Sequence, residues 1–135
     1  MPEITCLLID DDADDREFFE IALEAVPLST NYITAPDGIK GLELLATLNH
    51  KPEFIFLDLN MPILSGKECL TSIKLLKGYE NVPVIIFSTS SYQADIEDCR
   101  TLGASHFLTK TPDIDELSVI ITKLLSDKNL PFVVG

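Results

Sequence analysis

The stretch Phe54-Ile55-Phe56-Leu57-Asp58 constrains this chain more than any other. Four large apolar residues run without a break and stop at a carboxylate. Such a run reads as a strand buried on both faces, the kind found inside a parallel sheet. A parallel sheet delivers its strand ends to one edge, where open α/β folds bind ligands. Asp58 therefore lies where chemistry occurs, unless it only closes the strand as a turn residue does.

The flanking sequence repeats the pattern. Ile4 to Ile9 is an apolar run that ends in Asp10-Asp11-Asp12. A helix is expected behind it, with Phe18, Ile21, Ala22 and Ala25 as its inward face, Asp12 as a cap and Pro27 as its stop. Asn31 to Ala35 is a weaker strand, Pro36-Asp37-Gly38 a turn, and Leu42, Leu45 and Leu48 mark a short helix. Beyond Asp58, Pro62 and Gly66 precede a helix with Cys69, Ile73 and Leu76 facing inward. Val82 to Phe87 is a fourth strand, ending at Ser88. A weakly periodic helix around residues 94–102 stops at Gly103. Ser105 to Leu108 is a short fifth strand, after which come Thr109 and Lys110. The last helix carries Leu117, Ile120, Ile121 and Leu124 on one face. Five strand–helix units predict an α/β fold, a doubly wound, five-stranded parallel sheet with right-handed crossovers.

Charge narrows the function. The formal net charge is -12, from 22 acidic and 10 basic residues. That balance opposes direct contact with nucleic acid or an anionic membrane surface. Cys6, Cys69 and Cys99 are odd in number and widely spaced, so they form neither a disulfide framework nor a zinc site. They read as small core residues of a protein in a reducing, cytoplasmic compartment. Neither a signal peptide nor a membrane span is expected from the apolar patterning. His50 and His106 are expected to be structural.

Four of the five expected strands end in a reactive polar group: Asp10 and Asp11, Asp58, Ser88, and Lys110. In a parallel sheet all lie on one edge. Two carboxylates about 4 Å apart repel by roughly 4 kcal/mol at an effective dielectric near 20. Converging acids therefore hold a proton or bind a cation. Oxygen ligands with no His or Cys nearby point to Mg²⁺, which keeps several waters and takes few protein ligands. Spare metal positions suit a phosphoryl group, whose oxygens Lys110 and the Ser88 hydroxyl could contact. Taken singly, the acids from Asp10 to Asp15 are a solvated capping run, Lys110 a surface lysine and Ser88 a loop hydroxyl. Their joint placement, each after its own strand, favours a site.

With Ile9-Asp10-Asp11, then Leu57-Asp58-Leu59-Asn60-Met61-Pro62 and Gly66, then Ser88, then Lys110, the chain resembles the receiver domain of two-component response regulators. The resemblance covers about residues 4–127. It implies a flavodoxin-like fold with strand order 2-1-3-4-5, a receiver domain over residues 1–129 and a C-terminal tail over 130–135. It implies that Asp58 accepts a phosphoryl group from a phosphohistidine of a sensor histidine kinase or histidine phosphotransfer protein. Asp11, Asp58 and the backbone carbonyl of Asn60 would bind Mg²⁺ directly, with Asp10 acting through a water. Lys110 would pair with the acyl phosphate and Ser88 would swing to hydrogen-bond it. Phe107 would be the aromatic switch, turning inward on activation. The output surface would be the fourth helix, fifth strand and fifth helix, read by a downstream protein partner. No DNA-binding module is expected after the fifth helix.

The family usually places proline directly after the lysine. Here the order is Lys110-Thr111-Pro112, and a trans Lys110–Thr111 bond is expected, because a cis bond before a non-proline costs about 3–4 kcal/mol. Asn60 and Ser90 are expected to flank the path of an attacking water. The apolar tail Leu130-Pro131-Phe132-Val133-Val134 is expected to pack on its own domain or to serve a partner or homodimer contact. Two rivals stand beside this reading. A haloacid-dehalogenase-like phosphohydrolase would need an acid where Asn60 stands. A receiver-like module that is never phosphorylated would usually lack one of the acids or the lysine.

Overall fold

A computed structural model describes residues 3–135. Its strands are β1 (Ile4–Ile9), β2 (Thr30–Ala35), β3 (Phe54–Leu57), β4 (Val84–Ser88), β5 (His106–Thr109) and β6 (Val133–Val134). Its helices are α1 (Ala13–Glu24), α2 (Gly38–Thr47), α3 (Gly66–Leu75), α4 (Gln93–Thr101) and α5 (Ile114–Ser126). The sheet is parallel throughout, in the order β2-β1-β3-β4-β5-β6. The expected order 2-1-3-4-5 is present, but the sheet has six strands, not five. The sixth is built by the tail. Phe107 N donates to Phe132 O at 2.8 Å, the His106 ring meets Pro131 O at 2.8 Å, and Arg100 lies over the Phe132 ring. Two residues of extended chain are enough to cover the β5 edge, which would otherwise present unpaired backbone groups.

Each face of the sheet has its own core. On one side Leu7, Ile9, Ile55, Leu57, Val84, Ile86 and Phe107 meet α2, α3 and α4. On the other Cys6, Leu8, Phe56, Ile85, Phe87 and Leu108 meet α1 and α5. The alternation follows from the two-residue period of a strand, and burial on both faces explains why β1, β3 and β4 are apolar except at Thr5 and at Ser88, the last residue of β4. The three cysteines are free and buried, and desolvation pushes the thiols of Cys6 and Cys69 up to about 12.

Helix α1 corrects the expected inward face. Phe19, Ala22, Leu23 and Val26 are buried, whereas Ile21 is 49% exposed and Ala25 is exposed. Both sets have helical spacing, and they differ by one residue of rotation. Phe19 decides between them, because its ring packs against Phe56, Phe87 and Tyr32, with centroids 4.8–5.8 Å apart. Every peptide bond among the described residues is trans, Lys110–Thr111 included.

Candidate functional site

The backbone begins the site. Strands β1 and β3 are neighbours where the winding of the sheet reverses, and Ile9 pairs with Leu57. The next residues, Asp10 and Asp58, therefore leave the sheet side by side, and Asp58 N donates to Ile9 O at 3.0 Å. Asp10 is fully buried and Asp58 is 5% exposed. Asp11, one residue on, is exposed. Carboxylate oxygens of Asp10, Asp11 and Asp58 all lie within 4.8 Å of one another.

Two helix starts hold these acids. Asp12 caps α1 by accepting from Asp14 N and Asp15 N. Arg16 Nη1 donates to Asp10 O at 2.8 Å, and Tyr32 OH donates to Arg16 O at 2.9 Å, so the first turn of α1 is tied to the end of β1. Behind Asp58, Gly66 N donates to Leu59 O at 2.9 Å, and Ser65 and Glu68 form a capping box on α3.

Lys110 reaches in from the end of β5. Its ammonium stands 2.9 Å from Asp10 Oδ2, 2.7 Å from Asp15 Oδ2 and 3.6 Å from Asp58 Oδ1, and 5.3 Å from the centre of the Phe87 ring. Burial works against its charge, but Asp15 and Asp10 hold its pKa above the ordinary lysine value. Burial also raises Asp58, to about 6, with Lys110 opposing and Asp10 adding to the rise. Asp10 is raised chiefly by burial, against the pull of the Asp12 amide and Lys110. One lysine serves two buried acids, so part of the negative charge is left uncompensated.

Asp11, Asp12, Asp15, Asp58, Asn60, Thr89 and Lys110 line an open cleft of about 560 Å³ over this edge. Asp10 lies beneath it, bonded to Lys110. Ser88 is fully buried, and its Oγ accepts from Ser90 N at 3.1 Å. Thr89, which the sequence reading passed over, is the residue of that loop on the cleft wall. Ser90 does not line the cleft; its hydroxyl donates to Asp95 Oδ2 of α4 at 2.6 Å, and Asp95 is paired with Lys67 of α3 at 2.8 Å. Phe107 is already turned inward and fully buried, so the expected inward movement has no outward starting position here. Backbone pairing on both sides of β5 and the tail packed beside it leave the ring in the core. His50 lies by Glu53 at 3.1 Å and His106 by the tail, both away from the cleft.

The residue missed outright is Asp15. By sequence alone it belongs to the solvated capping run from Asp10 to Asp15. Its signal was its place in the first turn of a helix that starts directly after Asp10 and Asp11, at the edge where the other acids arrive.

A parallel sheet with three acids and a lysine at its switch point defines a class of α/β domain with an acidic, cation-suited cleft at its C-terminal edge. Residues 6–122 match the response regulator receiver domain, and the chain belongs to that family. Among curated relatives it is 34% identical over 124 residues to a protein-glutamate methylesterase/protein-glutamine glutaminase of Myxococcus xanthus, covering 90% of this chain and 34% of the relative. It is 26% identical to the response regulator Rcp1 of Synechocystis, covering 86% of this chain and 82% of Rcp1. The chain thus spans about a third of the length of the methylesterase. The structure of the phosphorylated cyanobacterial phytochrome response regulator RcpA superposes with a TM-score of 0.84 at 27% identity, covering 96% of this chain and 99% of RcpA. The Mn²⁺-bound form of Rcp1 shares the fold, with a TM-score of 0.80 at 24% identity, covering 97% of this chain and 99% of Rcp1. Receiver domains bind a divalent metal and are phosphorylated by histidine kinases. The clustered oxygens of Asp10, Asp11 and Asp58 suit such an ion, being hard donors with net negative charge. No helix among the described residues is long and apolar enough to cross a membrane.

Proposed function

We propose that Asp58 is the phosphoacceptor of a two-component phosphorelay, taking its phosphoryl group from a phosphohistidine of a sensor histidine kinase or histidine phosphotransfer protein. The observation that carries this reading is the meeting of Asp58 with Asp10, Asp11 and Lys110 in one open cleft. An Asp58 carboxylate oxygen attacks phosphorus, the new P–O bond replaces the P–N bond, and the imidazole leaves with a proton from solvent. There is little covalent work for the protein beyond alignment and charge neutralisation. Asp11, Asp58 and the backbone carbonyl of Asn60 would hold Mg²⁺, with Asp10 acting through a water. When bound, the ion supplies positive charge for the transferring oxygens.

Lys110 then pairs with the acyl phosphate, and Ser88 hydrogen-bonds it after leaving Ser90 N. That second movement has a path outward, because Ser90 is bonded to Asp95 at the start of α4. We propose that this loop, rather than a swing of Phe107, carries the change to the face formed by α4, β5 and α5, where a downstream protein binds. Asn60, on the cleft wall, sets the lifetime of the phosphoryl group. Three buried, unpaired thiols accord with a reducing cytoplasm.

Incubation with Mg²⁺ and a small acyl phosphate, followed by intact mass measurement, tests the reading. Wild-type protein is expected to gain one phosphoryl group and Asp58→Asn none. Equal gain by both would remove Asp58 from the role.

A further inference from the structure

Lys110 has three N–H donors on its ammonium. Asp15 and Asp10 engage it at 2.7 and 2.9 Å, whereas Asp58 stands at 3.6 Å, beyond a hydrogen bond. The lysine side chain is only 11% exposed, so little water can replace these partners. Asp10 lies fully buried beneath it and accepts from Asp12 N as well. Asp15 is the outer partner, its side chain 35% exposed on the cleft wall. Its backbone is fixed, because α1 is capped at Asp12 and tied to β1 through Arg16.

We infer that Asp15 is a positioning residue that holds Lys110 toward α1, away from Asp58, and so restrains transfer of a phosphoryl group to Asp58. The inference rests on the phosphoacceptor reading above. A phosphoryl group on Asp58 must share Lys110 with a carboxylate that already binds it by a charge-assisted bond, the stronger kind of hydrogen bond. Asp15 competes for the one cation that the product needs. The same contact keeps the lysine occupied while Asp58 is free.

The test compares wild type, Asp15→Asn, Asp15→Ala, Lys110→Met and the Asp15→Asn/Lys110→Met double variant, all with Mg²⁺. Two quantities are measured: the initial rate of labelling by acetyl phosphate, and the half-saturating concentration of beryllofluoride followed by ¹⁹F NMR. Both single Asp15 variants are expected to label about fivefold faster and to bind beryllofluoride more tightly by a similar factor, a coupling usual within one ion-pair network. In the Lys110→Met background, Asp15→Asn is expected to change neither quantity. Asp15→Asn keeps the shape of the side chain, and Asp15→Ala removes any residual bond to the lysine. Unchanged or slower labelling by both variants, with wild type labelling normally, overturns this inference alone. An equal gain without Lys110 also overturns it, since the effect would then be repulsion of the anionic donor. Wild type that takes neither probe overturns the phosphoacceptor reading and this inference with it.

Discussion

Gly66 backs onto the carbonyl of Asp58. A Cβ at Gly66 would overlap that oxygen and stand 2.5 Å from Leu59 Cα. The start of α3 and the loop that presents Asp58 are thus one packed unit, closed by the bond from Gly66 N to Leu59 O. Gly66→Ala is expected to lower stability by about 1–3 kcal/mol, the usual cost of forcing atoms into a filled space. Urea unfolding measures that loss. Because the displaced backbone is that of Asp58, labelling by acetyl phosphate is expected to fall as well. Full stability together with full labelling would contradict the close approach.

The raised pKa of Asp58 gives stability a definite pH dependence. Its folded-state value is about 6, above the ordinary 3.8. The folded protein binds this proton more tightly than the unfolded chain, so this group favours folding more as pH falls from about 6 toward about 4. Above pH 6 the ionised carboxylate is a standing cost. Asp58→Asn is therefore expected to be more stable than wild type at pH 7, by on the order of 2 kcal/mol in metal-free buffer. The gain is expected to shrink as pH approaches 4. Thermal unfolding of both proteins across that range checks the sign, and a gain that grows on acidification would refute it.

The sixth strand makes an asymmetric claim about two adjacent valines. Val134 is 8% exposed and packs with Leu108 and Ile120, while Val133 is 45% exposed. Val134→Ala is expected to cost about 1–2 kcal/mol through lost apolar burial. Val133→Ala is expected to stay within about 0.5 kcal/mol of wild type. Equal and negligible effects in denaturant unfolding would show that the tail is not held in the sheet.

Ile63 carries backbone strain beside the site. Its φ is 70°, in the left-handed region, and it is 88% exposed. A β-branched residue is disfavoured there, and an exposed one recovers nothing by burial. Ile63→Asn is expected to raise stability by about 0.5–1 kcal/mol, read as a higher urea midpoint with an unchanged slope. A lower midpoint would mean that the isoleucine makes contacts that outweigh the strain.

Much of this protein is legible before it folds. The apolar runs of β1, β3 and β4 show their own burial, because strands covered on both faces are apolar at nearly every position. Asp10, Asp11, Asp58 and Lys110 are legible for a related reason: each follows a strand, and parallel strands must end on one edge. Local patterning leaves more open where two arrangements share one period. The inward face of α1 could centre on Phe18 or Phe19, and only the aromatic contacts across the sheet decided it. Likewise, the two-residue pairing of the tail has no periodicity to read, and the β5 edge determined its place.

The cleft shows the same division more sharply. The order of residues along the chain determined which side chains arrive at the edge, because strand direction and length are local properties. It did not determine which of the arriving acids the lysine would take. That choice depends on distances between α1, β3 and β5, elements far apart in sequence and brought together by packing. Tertiary structure placed Lys110 in hydrogen bonds with Asp10 and Asp15 and in a longer, 3.6 Å ion pair with Asp58, and Coulomb attraction at those distances made the assignment.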